Sequence, residues 1–390
     1  MDIEVLRRSP IGRVLPISDH DALRGPFSYF AYLPNPLPES LPLTGATFSI
    51  VADAAMALGR LDMAAANVPN PLLLVRPALR KEAVSTSALE GTYAPLTEVL
   101  EGEVVGRAGV SAEAREVINY VEAAERGLQL LGQRPISLNL VAQLQKMLVS
   151  GTRGVSYDSG QLRQRLVLIG PEGAPIERAR FVPPPPGEDL ADGVAAWEKW
   201  IHAEAPHLLV RVAVGHYQFE ALHPFSDGNG RLGRLLVVLQ LIEAGALRYP
   251  LLNIAEWLEP RRQEYQDRLL RLSIDGQFDS WVAFLCTGIQ EQAEASTKRI
   301  ERLLGLRESL LSRVRDAGSR GGTAYRVADE LIGFPIMDIP WVRTWHDVTY
   351  QSARDALERL VAIGILREIR RSGRTRRLFV CDEVLAELDR

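Results

Sequence analysis

The chain has 390 residues, 46% of them hydrophobic, and a formal net charge of −4. That is enough for two or three globular domains, and so even a balance of charge gives no global pull toward nucleic acid or anionic membrane. Two cysteines, Cys286 and Cys381, exclude a disulfide framework or a cysteine-rich zinc site within one chain, which fits a reducing cytoplasm.

The opening Met1-Asp2-Ile3-Glu4 lacks a basic segment followed by a long apolar run, so no signal peptide is expected. Residues 1–45 are rich in proline and turn formers, as in Pro34-Asn35-Pro36-Leu37-Pro38, and read as an extended arm. Helical spacing begins near 47 and runs to 61. It resumes over 77–89, with Pro77 in the first turn and Gly91 at the end, both positional signals of a helix. Further helices are expected at 111–132, 136–150 and 188–204. Between them, Arg165-Leu166-Val167-Leu168-Ile169-Gly170 is short and β-like, and Ala179-Arg180-Phe181-Val182 can pair back on it as a hairpin. Pro183–Pro186 ends that stretch. Residues 207–222 read as a buried helix, 223–230 as a loop, and 231–244 as helix again. The apolar run at 235–242 is far too short to span a bilayer, so no membrane contact is expected. Helices follow at 256–275 and 278–313. Ser319-Arg320-Gly321-Gly322 is a flexible break with few contacts expected across it. Residues 323–390 then read as three short helices and two strands, 365–370 and 378–381. That order suggests a winged helix-turn-helix.

The informative string is His223-Pro224-Phe225-Ser226-Asp227-Gly228-Asn229-Gly230-Arg231-Leu232-Gly233-Arg234. Gly228 and Gly230 free the backbone to turn its N–H groups inward at a helix start, an anion-binding nest suited to a diphosphate. Arg231 and Arg234, three apart on that helix, can grip further phosphate oxygens. Asp227 offers one carboxylate beside the phosphates, a common way to hold Mg²⁺. His223 can exchange a proton near neutral pH. No GxxxxGK[ST] occurs, so this is not a P-loop. His202, His207 and His216 have no clustered partners and read as structural, and Trp281 and Phe284 as core.

This string resembles the Fic motif, HPFx(D/E)GNGRxxR, at every specified position. Gly160-Gln161-Leu162-Arg163 and Ala179–Pro185 also look like that family's flap region. The resemblance implies a mainly α fold: an all-helical Fic core with a small β-hairpin flap, here followed by a winged helix-turn-helix. It implies that His223 deprotonates a target hydroxyl and that Asp227 binds Mg²⁺ or Mn²⁺. Gly228, Asn229 and Gly230 would hold the α- and β-phosphates of ATP with help from Arg231, Arg234 would hold the γ-phosphate, and Phe225 would anchor the loop. Thr86-Ser87-Ala88-Leu89-Glu90-Gly91 resembles the inhibitory motif, (S/T)xxxE(G/N), N-terminal to the core. Glu90 would then pair with Arg234, with Thr86 and Gly91 completing the motif. Tyr265 falls where relatives place adenine-pocket residues, while Ser273 departs from an asparagine found there in some of them.

The division implied is an arm at 1–45, a helical region with the inhibitory helix at 46–110, a catalytic domain at 111–300, a linker helix and break at 301–322, and the winged helix at 323–390. The expected activity is transfer of AMP from ATP to protein Ser, Thr or Tyr hydroxyls, self-modification included, in the cytoplasm. The alternatives are removal of AMP from modified proteins, transfer of another phosphate-containing group, and a DNA-binding regulator with a nucleotide-sensing Fic domain. Arg370, Arg371, Arg374, Arg376 and Arg377 are the candidate DNA contacts. A second copy of the chain is a further candidate partner. The target protein is not readable from the sequence.

Overall fold

Helical periodicity organises most of the chain, but not its beginning. A computed structural model describes residues 1–390 apart from 22–24, 67, 69, 107, 108, 172, 319, 320 and 371–376. After a single turn at Ile3–Leu6 (α1) comes an antiparallel hairpin, β1 (Gly12–Asp21) against β2 (Gly25–Pro34), with Gly12 opposite Pro34 and Asp21 opposite Gly25. This corrects the reading of 1–45 as an arm. Pro16 and Pro26 lie within the strands, and each strand of a two-stranded ribbon is an edge, where a missing N–H is tolerated. Ala31, Tyr32 and Leu33 are buried, so the hairpin is packed down and not a free arm.

The helical body follows as α2 (Gly45–Ala66), α3 (Leu72–Leu89), α4 (Leu96–Val105), α5 (Ala112–Leu131) and α6 (Leu138–Val149). Side chains of Ser111 and Ser137 accept from Ala114 N and Leu140 N and cap α5 and α6, satisfying amides that have no partner within the helix. Pro77 lies inside α3 and not in its first turn, because the helix begins five residues earlier. At the other end Gly91 takes φ +85° directly after the cap residue Glu90, a conformation suited to glycine. The expected flap hairpin reduces to one antiparallel bridge, Ile169 to Phe181. Its outer side is joined to β2 by Tyr32 N donating to Val182 O at 2.8 Å.

Next come α7 (Glu188–Ile201), α8 (Leu208–Leu222), α9 (Asn229–Glu243), α10 (Ile254–Leu258), α11 (Arg262–Asp275) and the long α12 (Phe278–Asp316). Nearly every residue of α8 and α9 is buried, as expected of helices apolar on all sides. They pack on each other at the centre, with α5 and α6 against α9 and with α11 and α12 against α8. The loop between α8 and α9 therefore emerges from the most constrained part of the molecule. Among the described residues no helix is long and apolar enough to cross a membrane.

The C-terminal unit runs α13 (Thr323–Glu330), β3 (Ile336–Met337), α14 (Ile339–Trp345), α15 (Tyr350–Ala362), β4 (Arg367–Arg370), β5 (Arg377–Val380) and α16 (Asp382–Asp389). Its sheet has the order β3-β5-β4, all antiparallel. The three helices and two strands are present, with a further short strand and a final helix.

The unit is not loosely tethered. Lys81 of α3 donates to the carbonyls of Leu388 at 2.9 Å and Asp389 at 3.4 Å, and Arg76 of α3 lies 4.2 Å over the Phe334 ring. Leu303, Leu310 and Leu388 are buried in one continuous core that spans both parts of the chain. The sparse contact expected across Gly321-Gly322 is thus replaced by a packed face, because glycine frees the local backbone without deciding what docks on either side. A chain ended at 318 would expose several leucines, each stabilising by about 1.5–3 kcal/mol when buried. Its thermal midpoint should fall on the order of 5–10 °C below that of the full chain. Calorimetry giving equal midpoints would return the C-terminal unit to an independent domain.

Candidate active site

The loop between α8 and α9 is set by its two ends. His223 caps α8, with its N–H on Phe219 O at 2.9 Å, and adopts φ 49°, ψ 60°. This left-handed conformation is unfavourable for a side chain with a β-carbon and costs on the order of 1–3 kcal/mol. It is held by Arg163, buried on the far side, whose Nε donates to His223 O at 2.8 Å and whose guanidinium also reaches Leu222 O and Pro184 O. Phe225 is fully buried, and Asn229 brackets it, accepting from Phe225 N at 2.9 Å and donating to Phe225 O at 2.8 Å. The Asn229 side chain is therefore occupied in bracing the loop, and only its backbone N–H is left to face an anion. Gly228, at φ +83°, turns the chain into α9. The N–H groups of Asn229, Gly230 and Arg231 then stand in the first turn of a helix, without intrahelical partners.

His223 Nδ1 lies 3.3 Å from Glu220 O. The carbonyl can only accept, so Nδ1 carries the hydrogen and Nε2 is left with a free lone pair. Burial, reinforced by the charge of Arg163, lowers the pKa of His223 to about 4. The ring is accordingly neutral at pH 7 and able to accept a proton.

The two motif arginines are both buried and differently engaged. Arg231 donates to Glu116 Oε2 at 3.1 Å and approaches Asp227 Oδ1 at 3.4 Å. Arg234 Nε donates to Thr86 Oγ1 at 2.6 Å, and its Nη2 to Thr86 O at 3.0 Å and to Glu90 Oε1 at 2.5 Å. The C-terminal end of α3 thus lies against the first turns of α9. A β-carbon on Gly230 would collide with Glu90 Oε1, so glycine there lets the carboxylate press onto the helix start. Burial pushes the Glu90 pKa up, but Arg234, then Arg231 and His223, hold it below the usual range. The pair is therefore ionised at neutral pH. Asp227 remains at the mouth of the loop with its side chain 39% exposed. Among the described residues no group of three or more His, Cys, Asp or Glu could enclose a metal.

With this geometry in place, the comparisons are informative. The family pattern described as Fic/DOC family N-terminal matches residues 48–129, and that of the Fic/DOC family matches 135–241, which includes the whole loop. The chain carries the N-terminal and catalytic regions of the Fic/DOC family. This Fic chain is 34% identical over 135 residues to the Protein adenylyltransferase Fic of Culex quinquefasciatus, and 35% identical to that of Drosophila grimshawi. Each alignment covers 33% of this chain and 24% of the relative, so the chain matches about a quarter of those proteins' length. A crystal structure of a Fic family protein from Desulfovibrio desulfuricans G20 shares the fold. Its TM-score is 0.56 at 19% identity, over 88% of this chain and 98% of that one.

One cavity of this Fic protein brings together Glu90, Glu220, His223, Arg234 and Tyr265. Tyr265 OH lies 2.8 Å from His216 Nε2, so its hydroxyl is already partnered. Ser273 Oγ is 3.0 Å from Tyr217 OH, and is likewise spent inside the wall. Arg163 and Glu220 are the site residues that sequence reasoning passed over. For Glu220 a signal was present, a charged residue between Phe219 and Ala221, which are both buried, whereas the neighbours of Arg163, such as Gln161 and Gln164, are polar and exposed and gave none. Of the candidate DNA contacts, Arg371, Arg374, Arg376 and the Arg370 side chain lie outside the described residues. Arg377 is described, and it pairs with Glu368 at 2.6 Å and Glu358 at 3.1 Å, which satisfies its charge within the unit.

Proposed function

We propose that this Fic protein transfers AMP from ATP to a protein hydroxyl and is inhibited in cis by Glu90. The observation that carries the reading is a single cavity holding three things: a neutral His223 with a free Nε2, a helix start with unpaired N–H groups, and Arg234 already engaged by Glu90. In the step proposed, the target oxygen attacks the α-phosphorus and its proton passes to His223 Nε2. The bond from the α-phosphorus to the bridging oxygen breaks, and pyrophosphate leaves with that electron pair. The N–H groups of α9 stabilise the charge on the phosphates, a contribution that needs no reorganisation. The names of the curated relatives agree with this activity.

The partly exposed carboxylate of Asp227 suits a Mg²⁺ or Mn²⁺ that takes its other oxygens from phosphate and water. Such an ion, when bound, neutralises phosphate charge. Asp227→Ala should therefore lower AMP transfer on the order of 100-fold and shift the metal titration to higher concentration. Undiminished transfer in excess chelator would remove both the ion and this role of Asp227. The reading as a whole is tested by incubating the Glu90→Gly protein with α-labelled and γ-labelled ATP. Protein labelling from the α position only supports AMP transfer, and labelling from the γ position replaces it with phosphoryl transfer.

A further inference from the structure

Glu220 stands out as an acid with no evident duty. It sits in the last turn of α8, where Arg211 in the first turn is the other charged side chain, and is 9% exposed. Its Oε1 is fully buried without a hydrogen-bond partner, and a β-carbon on Gly233 of α9 would overlap it. The side chain lines the same cavity as Arg234, Glu90 and His223. A buried carboxyl left unsatisfied is costly, and such groups persist where something else completes them.

Arg234 on α9 and Glu90 on α3 face Glu220, and Arg234 already donates to Glu90 and Thr86. Arg180 and Tyr217, the latter with its pKa raised by burial, also line the cavity wall. His216 on its own helix is neutral, its pKa lowered to about 3 by burial and Arg234. His223 is lowered to about 4. Tyr265 on α11 is raised well above its ordinary value by burial. Glu82 on α3 is deeper, accepts from Ala255 N at 3.0 Å and is pushed up to about 8, chiefly by burial. Two carboxyls thus face one guanidinium. Glu90 takes the charge, while burial first, and Glu90's charge with it, push Glu220 up to about 8.

We infer that Glu220 is a nucleotide-contacting residue: as the neutral acid, its carboxyl donates a hydrogen bond to a terminal phosphate oxygen beside Arg234, and as the carboxylate it repels that phosphate. The inference rests on the ATP-dependent reading above and adds a proton to its requirements. The acid form supplies a donor where Arg234 alone would leave one phosphate oxygen bare. Ionisation replaces that donor with a like charge in a poorly solvated pocket. The sign follows: binding is retained below the titration point of Glu220 and is lost as pH rises through it. If only the protonated fraction is competent, the apparent Kd rises about tenfold per pH unit beyond that point. AMP, which has no terminal phosphate to place there, should not show the loss.

The test is calorimetric binding of ATP and of AMP between pH 6 and 9.5. The proteins are full-length Glu90→Gly and the same chain with Glu220→Gln. In Glu90→Gly, burial, the largest cause of the raised Glu220 titration, persists while the contribution of Glu90 is gone, so the loss sets in at a lower pH than with Glu90 present. Glutamine keeps the shape and a donor but cannot ionise, so it guards against loss of fold. The expected result is an alkaline loss of ATP affinity in the Glu90→Gly parent, its absence with Glu220→Gln, and flat AMP binding in both. An equal alkaline loss in the Glu220→Gln protein would overturn the inference and pass the titration to Glu82. So would a parent with no slope, or AMP falling as ATP does. Because binding alone is read, a parent that binds ATP but transfers no AMP would unseat the functional reading while these curves still decide Glu220.

Discussion

Replacing His223 by alanine in the Glu90→Gly protein should reduce AMP transfer by on the order of 10²–10⁴-fold or more while ATP stays bound. The groups that hold phosphate include the backbone N–H groups at the start of α9 and the guanidinium of Arg234, and none of them is supplied by the His223 side chain. What the imidazole supplies is an oriented lone pair. Glu220 O fixes the hydrogen on Nδ1, and the left-handed backbone, locked by Arg163, points the ring at the cavity. The pKa near 4 has two consequences. The ring is the free base at every pH above about 5, so transfer should fall only as acid is approached. It is also a modest base, so its contribution comes from position at least as much as from proton affinity. Alanine also relieves none of the left-handed strain, since it too carries a β-carbon. Incorporation of α-labelled ATP and calorimetric ATP binding, measured on the same preparations, separate the two effects. Transfer at the parental rate would remove His223 from the chemistry, and loss of binding would make it a structural residue of the loop.

The catalytic loop was legible because its parts are contiguous. Twelve residues carry the glycines, the two arginines and the histidine, and a turn between two apolar helices is a local event. The contact between Glu90 and Arg234 joins residues 144 positions apart. Periodicity could place each on its helix but not bring them together, and resemblance alone suggested the pair. Arg163 and Glu220 were hidden for another reason. A buried charge announces itself only once its surroundings are known, and Arg163 turned out to be held by carbonyls and not by an acid. The hairpin at 12–34 was masked by its prolines, which count against strands in general and not against a two-stranded ribbon. The docking of the C-terminal unit on α3 was masked by two glycines, whose effect on the chain is local while the packed face is not.

Glu90→Gly should raise AMP transfer, self-modification included, by tenfold or more over the unmodified chain, the scale of a typical coupling between sites. Arg234 has three hydrogen bonds to the end of α3, and only one of them comes from the Glu90 carboxylate. Removing that carboxylate leaves Arg234 tied to Thr86 Oγ1 and Thr86 O, so the guanidinium stays where a terminal phosphate can find it. The carboxylate now competes with that phosphate for the same N–H groups and, at neutral pH, is always charged and always present. A nucleotide entering beside it must displace it or settle with its terminal phosphate elsewhere. The α-phosphorus is then off the line of attack, and alignment is most of what such a site provides. Glycine at 90 also clears the start of α9, where Glu90 Oε1 crowds Gly230. Its structural cost is small: Glu90 sits at the C-terminal cap of α3 rather than within it, where glycine is unfavourable by no more than about 1 kcal/mol. The gain should disappear when His223→Ala is added, since an open site without a base transfers nothing. Arg234→Ala should fail to activate, because it removes the phosphate's holder along with the inhibitor's anchor. The measurement is α-labelled ATP incorporation by the unmodified chain and Glu90→Gly side by side. Equal labelling, with folding and ATP binding intact, would reduce the ion pair to a structural tie between α3 and α9.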